Sequence, residues 1–299
     1  MTREEIAAWI DRRLHALNGH DADALARLYA DDCAIESPTV GRGAHGAKAA
    51  ADIDRAWIGG FPDVTFTTAA QLIDGDRAAW VGTASGTDRG GFMGVAPTDK
   101  RFSIPMVLFT VIRDGRISRE RRVYDFTGML MQIGVLKARP NAAVPEAASS
   151  ASPRAAEGVA PGVDVADLVR THAAAFVRHD ADAVASLHTD DAAMDSNLAG
   201  RVSGRAAVAD VYRQWFTALP DSGFEIEDLI VDGSRAVAMV TMTGTDTGGF
   251  FGLPPTGRPV HVRSAWVYSI RGRQLSYVQP VYDFTGMLAQ MGVIRPKPA

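Results

Sequence analysis

The chain has 299 residues, 46% of them hydrophobic and 22% charged, and a formal net charge of −4. Such a balance gives no electrostatic footprint for nucleic acid, no apolar run is long enough to span a bilayer, and Met1-Thr2-Arg3-Glu4-Glu5 lacks the apolar core of a signal peptide. Cys33 is the single cysteine and cannot close an internal disulfide, so a cytoplasmic protein is expected, with neither nucleic-acid nor membrane partners.

In chain order the first pattern is helical. Ile6, Trp9, Ile10, Leu14 and Leu17 fall at helical spacing. A break follows at Asn18-Gly19-His20-Asp21, and a second short helix carrying Leu25, Leu28 and Tyr29 is predicted to end before Asp31-Asp32. A third helix is predicted over 47–58, ended by Pro62. Strands follow: Val64-Thr65-Phe66, Ala78 to Val81, Met106 to Ile112 and Arg116 to Tyr124, with Asp74-Gly75-Asp76 and Arg113-Asp114-Gly115 as turns.

The whole order is then repeated. Leu168, Val169, His172 and Phe176 echo the first helix, Val184 and Leu187 the second, and 206–218 the third, ended by Pro220. The strands recur as Phe224 to Val231, Ala236 to Met242, Val260 to Ile270 and Gln274 to Tyr282. Tyr124-Asp125-Phe126-Thr127-Gly128-Met129-Leu130 returns unchanged as 282–288, an offset of 158 residues. So long a period means two globular domains, not a solenoid. Residues 138–162 are rich in Ala, Pro, Ser and Gly and cannot offset their ordering entropy by burial, so they read as a linker between domains at 1–137 and 163–299. Helices first and antiparallel strands after predict an α+β class: two tandem cone-shaped domains, each a curved, mostly antiparallel sheet with helices on one face. The covalent tandem suggests an internal pseudo-dimer, with a linker long enough to allow it. Further oligomerisation is compatible with this.

The run Gly244-Thr245-Asp246-Thr247-Gly248-Gly249-Phe250, continuing through Pro254-Pro255-Thr256-Gly257-Arg258, resembles the G-T-h-x-G-x-F-x-G-x-P-P-T-G-K signature of the SnoaL-like polyketide cyclases. These belong to the cone-shaped superfamily of nuclear transport factor 2 and ketosteroid isomerase. Asp283 to Gly292 resembles the family's terminal D-x-x-G-L-L-x-Q-L-G. Both signatures also occur in the first half, at 86–100 and 125–134, which departs from the family at Ala96 and Asp99. The resemblance implies a cofactor-independent, metal-free enzyme of natural-product biosynthesis. Its substrate would be a hydrophobic, polyketide-like small molecule whose acidic proton is removed before aldol ring closure. It also implies that Asp125 and Asp283 are the general bases.

The residues by themselves leave two roles open for these aspartates. A carboxylate at the end of an apolar strand and facing an apolar enclosure becomes a stronger base; equally, an Asp at a strand-to-helix junction serves as an N-cap. Alternation puts Arg119 and Arg121 on the face of Asp125, and Tyr277 and Gln279 on that of Asp283. On that basis the second site is expected to be the better catalyst, with Gln279 and Tyr277 donating to substrate carbonyls and Arg121 holding an anion. Trp57 and Trp215 are candidates for stacking on a flat substrate, and His261 for a second acid/base. The seven histidines show no metal-ligand spacing, and Gly90-Gly91-Phe92-Met93-Gly94 lacks the helix and Lys-Ser/Thr pair of a phosphate loop. Two rival readings stand beside the cyclase. One is hydrolysis or rearrangement of an epoxide or acetal, which would place polar residues such as Asp32, Glu36 or Asp195 inside the cone. The other is a non-catalytic ligand-binding module.

Overall fold

The computed structural model describes residues 1–40, 43–137, 158–196, 200–250, 254–293 and 297–298. The chain divides into two compact units, Met1–Lys137 with Lys297–Ala299, and Ala138–Pro296. The linker expected over 138–162 lies outside the described residues as far as 157. From Gly158 onward the chain is tied to the second unit: Ala160 N donates to Gly272 O, and Gly272 N to Gly158 O, both at 2.9 Å.

In the first unit α1 (Arg3–Asn18) starts at a capping box in which Thr2 and Glu5 satisfy each other's backbone N–H. There follow α2 (Ala22–Ala26), β1 (Tyr29–Glu36), β2 (Ala44–His45), α3 (Ala47–Gly60), β3 (Thr65–Asp74), β4 (Arg77–Thr87), β5 (Arg101–Arg113), β6 (Arg116–Tyr124), α4 (Phe126–Gln132) and β7 (Leu136–Lys137). The sheet order is β2-β1-β6-β5-β4-β3. Only the β1–β6 pair among these is parallel.

The second unit repeats the plan with α5 (Val165–Val177), α6 (Ala181–Ser186), β8 (His188–Ser196), β9 (Gly200–Ser203), α7 (Arg205–Ala218), β10 (Gly223–Asp232), β11 (Arg235–Thr245), β12 (Pro259–Arg271), β13 (Gln274–Tyr282) and α8 (Phe284–Met291). Its sheet order is β10-β11-β12-β13-β8-β9, with β13 and β8 parallel. β14 (Lys297–Pro298) belongs to the first unit, where it pairs with β7. Bulges at Thr68/Ala70 and Val111/Ile112 recur at Ile226/Asp228 and Ser269/Ile270 and bend each sheet around its helices. The expected α+β cone is therefore present twice, and neither sheet closes into a barrel among the described residues.

One element differs from the sequence reading. β1 and β8 run straight through Asp31-Asp32 and Asp190-Asp191, the pairs before which the second helix of each half was expected to end. Asp31 and Asp32 are both exposed, and the register with β6 shifts between Tyr29 and Ala34. Two successive outward residues at a bulge erase the period-two pattern. As a result Tyr29 and His188 are strand residues that face the interior.

The two recurring motifs meet as a structural frame. Asp88 and Asp246 are fully buried, and each accepts from the backbone and hydroxyl of Thr98 or Thr256. Gly90 and Gly248 stand so close to the carbonyls of Gly59 and Thr217 that a methyl on either would collide. Lys100 and Arg258, the last residues of the first motif, lie across Gly134 and Gly292 of the second. Both glycines have positive φ. Gln132 and Gln290 accept from the backbone N–H of Ser103 and His261. Where the first half departs from the family at Asp99, the aspartate takes up φ 56°, against 67° at Gly257, so the turn keeps its shape.

Candidate functional site

Each unit encloses a cavity between its long helices and the concave face of its sheet. In the first, Arg13 and Leu17 come from α1, Asp54, Trp57 and Ile58 from α3, Met106 and Leu108 from β5, and Arg122 from β6. Its free volume is about 20 Å³. In the second, Phe176 comes from α5, Met194 from β8, Val211, Tyr212 and Trp215 from α7, Trp266 from β12, and Pro280 and Tyr282 from β13. Its free volume is likewise about 20 Å³.

The first interior is ionic. Arg122 Nη2 lies 2.8 Å from Asp54 Oδ1 and donates to Tyr29 Oη at 2.9 Å, while its Nε donates to Glu120 Oε1 at 2.7 Å. The Tyr29 hydroxyl donates to Asp54 Oδ2 at 2.5 Å. Arg13 pairs with the other oxygen of Glu120, and the Thr110 hydroxyl donates to that oxygen at 3.1 Å. All six side chains are buried. Burial alone would raise the Glu120 carboxyl, but the Arg13 and Arg122 guanidiniums outweigh it and hold the group at about 2. Burial, and then the Asp54 carboxylate, push the Tyr29 hydroxyl well above its ordinary value.

The second interior is neutral. Matching positions are offset by 159 residues up to β1 and by 158 from α3 onward, so Arg13, Tyr29, Asp54, Thr110, Glu120 and Arg122 correspond to His172, His188, Tyr212, Tyr268, Val278 and Pro280. His172 Nε2 is 2.8 Å from the Tyr212 hydroxyl, and its Nδ1 is 3.5 Å from that of Tyr268. Burial, and then His188, hold His172 well below the usual imidazole range, and burial brings His188 down to about 4. Burial raises the Tyr212 and Tyr268 hydroxyls. These groups stay uncharged at neutral pH and offer hydrogen bonds without a fixed charge.

The residues singled out from sequence are dispersed. Trp57 and Trp215 line the two cavities. Trp57 is met edge-on by Phe61, Phe92, Phe102 and Tyr124. Asp125 and Asp283 cap α4 and α8, accepting from Gly128 N at 2.8 Å and Gly286 N at 3.0 Å. Each directly follows a tyrosine of the interior: Tyr124 packs on Trp57, and Tyr282 lines the second cavity. Arg121 lies on the face of β6 opposite Arg122 and shares Glu36 with Arg119. Tyr277 and Gln279 likewise lie opposite Pro280 and Tyr282, and the Tyr277 hydroxyl donates to Asp195. His261 is exposed on β12. Of the polar residues that hydrolysis would need inside the cone, Asp32 is exposed and pairs with Arg113, Glu36 is held by the two arginines, and buried Asp195 sits with Tyr277. None of the three lines either cavity.

The interior polar set was not singled out from sequence, though a signal for it exists. Arg13 continues the stripe of Ile6 and Ile10, and Asp54 falls between Ala50 and Trp57 on the buried face of α3. A charge on an apolar stripe is the mark of a buried pair. Among the described residues no group of three or more His, Cys, Asp or Glu side chains is placed to hold a metal ion. No described helix is long and apolar enough to cross a membrane.

The SnoaL-like polyketide cyclase model matches residues 8–133 and again 166–291. The chain belongs to this family. Among solved structures, IdmH of Streptomyces antibioticus, proposed to be a polyketide cyclase, is 30% identical over 43% of this chain and 98% of its own, with a TM-score of 0.37. AclR of Streptomyces galilaeus, proposed to be a hydroxylase, is 22% identical over 44% of this chain and 98% of its own, with a TM-score of 0.40. A proposed polyketide cyclase of Xanthomonas campestris is 25% identical over 42% of this chain and 95% of its own, also at 0.40. No curated protein matches the chain in sequence. The SnoaL-like match runs from within α1 through α4 and from within α5 through α8, so each cavity and each capping aspartate lies within it.

Proposed function

We propose that this SnoaL-like protein catalyses cofactor-independent ring closure on an uncharged, carbonyl-rich polyketide-type molecule, and that the second unit is the working half. The observation that carries this reading is the position of Asp283. It caps α8 at the residue after Tyr282, and Tyr282 lines a cavity whose polar groups are neutral, so Asp283 stands next to that wall without being part of it. A carboxylate base there takes the proton from a carbon between two carbonyls, and the resulting enolate carbon attacks an internal carbonyl. A C–C bond forms, and the alkoxide oxygen takes up a proton. Tyr212, with His172 behind it, supplies a hydrogen bond to developing negative charge without a cation that would trap the base. In the first unit a carbonyl substrate meets an ion cluster instead, which favours the second unit as the working half.

Asn caps a helix as well as Asp does but cannot take a proton. Deuterium exchange into an aromatic β-keto methyl ester in D2O isolates the proton-abstraction step. Asp283→Asn should lower this exchange by about 100-fold or more, and Asp125→Asn by less. If neither variant changes the exchange rate, the general-base assignment fails.

A further inference from the structure

The hydrogen bonds of the second interior have a direction, and the proton count fixes it. His172, Tyr212 and Tyr268 are all buried. Burial keeps the His172 ring uncharged, so it carries one N–H and one bare nitrogen. Its Nε2 lies 2.8 Å from the Tyr212 hydroxyl, and its Nδ1 lies 3.5 Å from that of Tyr268. Two arrangements of the chain exist. If Nδ1 held the ring proton, it would donate to Tyr268, and Tyr212 would donate to Nε2. The Tyr268 proton would then have no acceptor, since among the described residues that hydroxyl meets only Nδ1. An orphan of this kind in a buried place costs on the order of 1–3 kcal/mol.

With the proton on Nε2 the chain runs the other way: Tyr268 donates to Nδ1, and Nε2 donates to Tyr212. The proton left over is that of Tyr212. Of the three side chains only Tyr212 lines the second cavity, so this proton has an open place to go. His188 does not intercept it. The Val184 carbonyl, 2.9 Å from His188 Nδ1, can only accept, so that nitrogen holds the His188 proton, and the bare Nε2 meets no partner among the described residues. We infer that His172, held by Tyr268 with its proton on Nε2, aims the Tyr212 hydroxyl into the second cavity as a donor, and that Tyr268 and His172 are positioning residues for it. The first unit cannot do the same, because its matched residues Arg13, Asp54 and Thr110 put a carboxylate where Tyr212 stands. The use of this donor in ring closure rests on the second unit being the working half. Its direction does not, so the two fail separately.

Long-range 1H–15N correlation on protein labelled with 15N-histidine reads the tautomer of each ring at neutral pH. The His172 ring is assigned by Overhauser contacts to the Phe224 and Tyr268 rings, and His188 serves as an internal standard of the opposite tautomer. In the unmodified protein His172 should show a protonated Nε2 and a bare Nδ1, and His188 the reverse. In Tyr268→Phe the two His172 nitrogen signals should move towards each other as the second tautomer fills. In the deuterium-exchange assay the same variant should lose roughly three- to tenfold in kcat at unchanged KM. The inference is overturned by a proton on Nδ1 of His172 in the unmodified protein, by a tautomer that ignores Tyr268→Phe, or by an unchanged kcat beside a shifted tautomer. If the unmodified protein shows no exchange at all, the ring-closure reading falls, and the two tautomer measurements still decide the direction of the chain.

Discussion

The two cavities occupy the same place in the same fold and share almost no polar chemistry. One is floored by a closed set of two arginines and two carboxylates, the other by two neutral histidines and two tyrosines. All six matched positions differ between the halves. Removing one member of a buried ion cluster strands the rest, whereas replacing all of them costs little. The difference teaches that the repeat preserves a container and not its contents.

The largest test of that contrast removes one ion. Arg122→Met leaves Asp54 and Glu120 short of a partner and should destabilise the first unit by about 3–5 kcal/mol in urea unfolding, with the loss confined by hydrogen exchange to peptides of 1–137. A loss under about 1 kcal/mol would mean that the cluster is hydrated and screened.

Acid separates the halves next. His188 is held at about 4 in the folded protein against an ordinary value of 6.5, so the unfolded chain takes up that proton first. Its contribution is whole above pH 6.5 and drains away as the pH falls towards 4, about 3 kcal/mol in all. His172 shifts in the same direction. Glu120 behaves as a carboxylate depressed from 4.5 to about 2, so its contribution survives to pH 4.5 and is lost only below it. Peptide-resolved exchange between pH 7 and 5, corrected for intrinsic rates, should show the second unit weakening first. Equal weakening of both units would break the comparison.

The smallest effect probes what the halves share. Asp125→Ala and Asp283→Ala should each cost about 1 kcal/mol by thermal unfolding, nearly equally, because both carboxylates cap helices through the same glycine N–H. A marked inequality would show that one aspartate has a structural load beyond its cap.

Much of this was legible in the sequence. The repeat, the helix-then-strand order and the family signatures led directly to two α+β cones. The signatures led less directly to the cavities, because most of their polar residues do structural work. Asp88 and Asp246 tie a loop, Gln132 and Gln290 hold a strand, and Asp125 and Asp283 start a helix. Alternation along β6 correctly put Arg119 and Arg121 together, but on the face that meets Glu36. The inward face belongs to Glu120 and Arg122, whose charges suggest solvent until Arg13 and Asp54 are brought against them by α1 and α3. That pairing is tertiary, and no single segment announces it.

The contact of Lys100 with Gly134, and of Arg258 with Gly292, fastens the last helix of each unit to its hairpin at the rim. None of these four residues lines a cavity. That fastening is thus separate from each cavity's lining, and a lining can be exchanged while the fastening stays in place. The chain carries one frame twice, and within each unit the lining is open to change while the frame is kept.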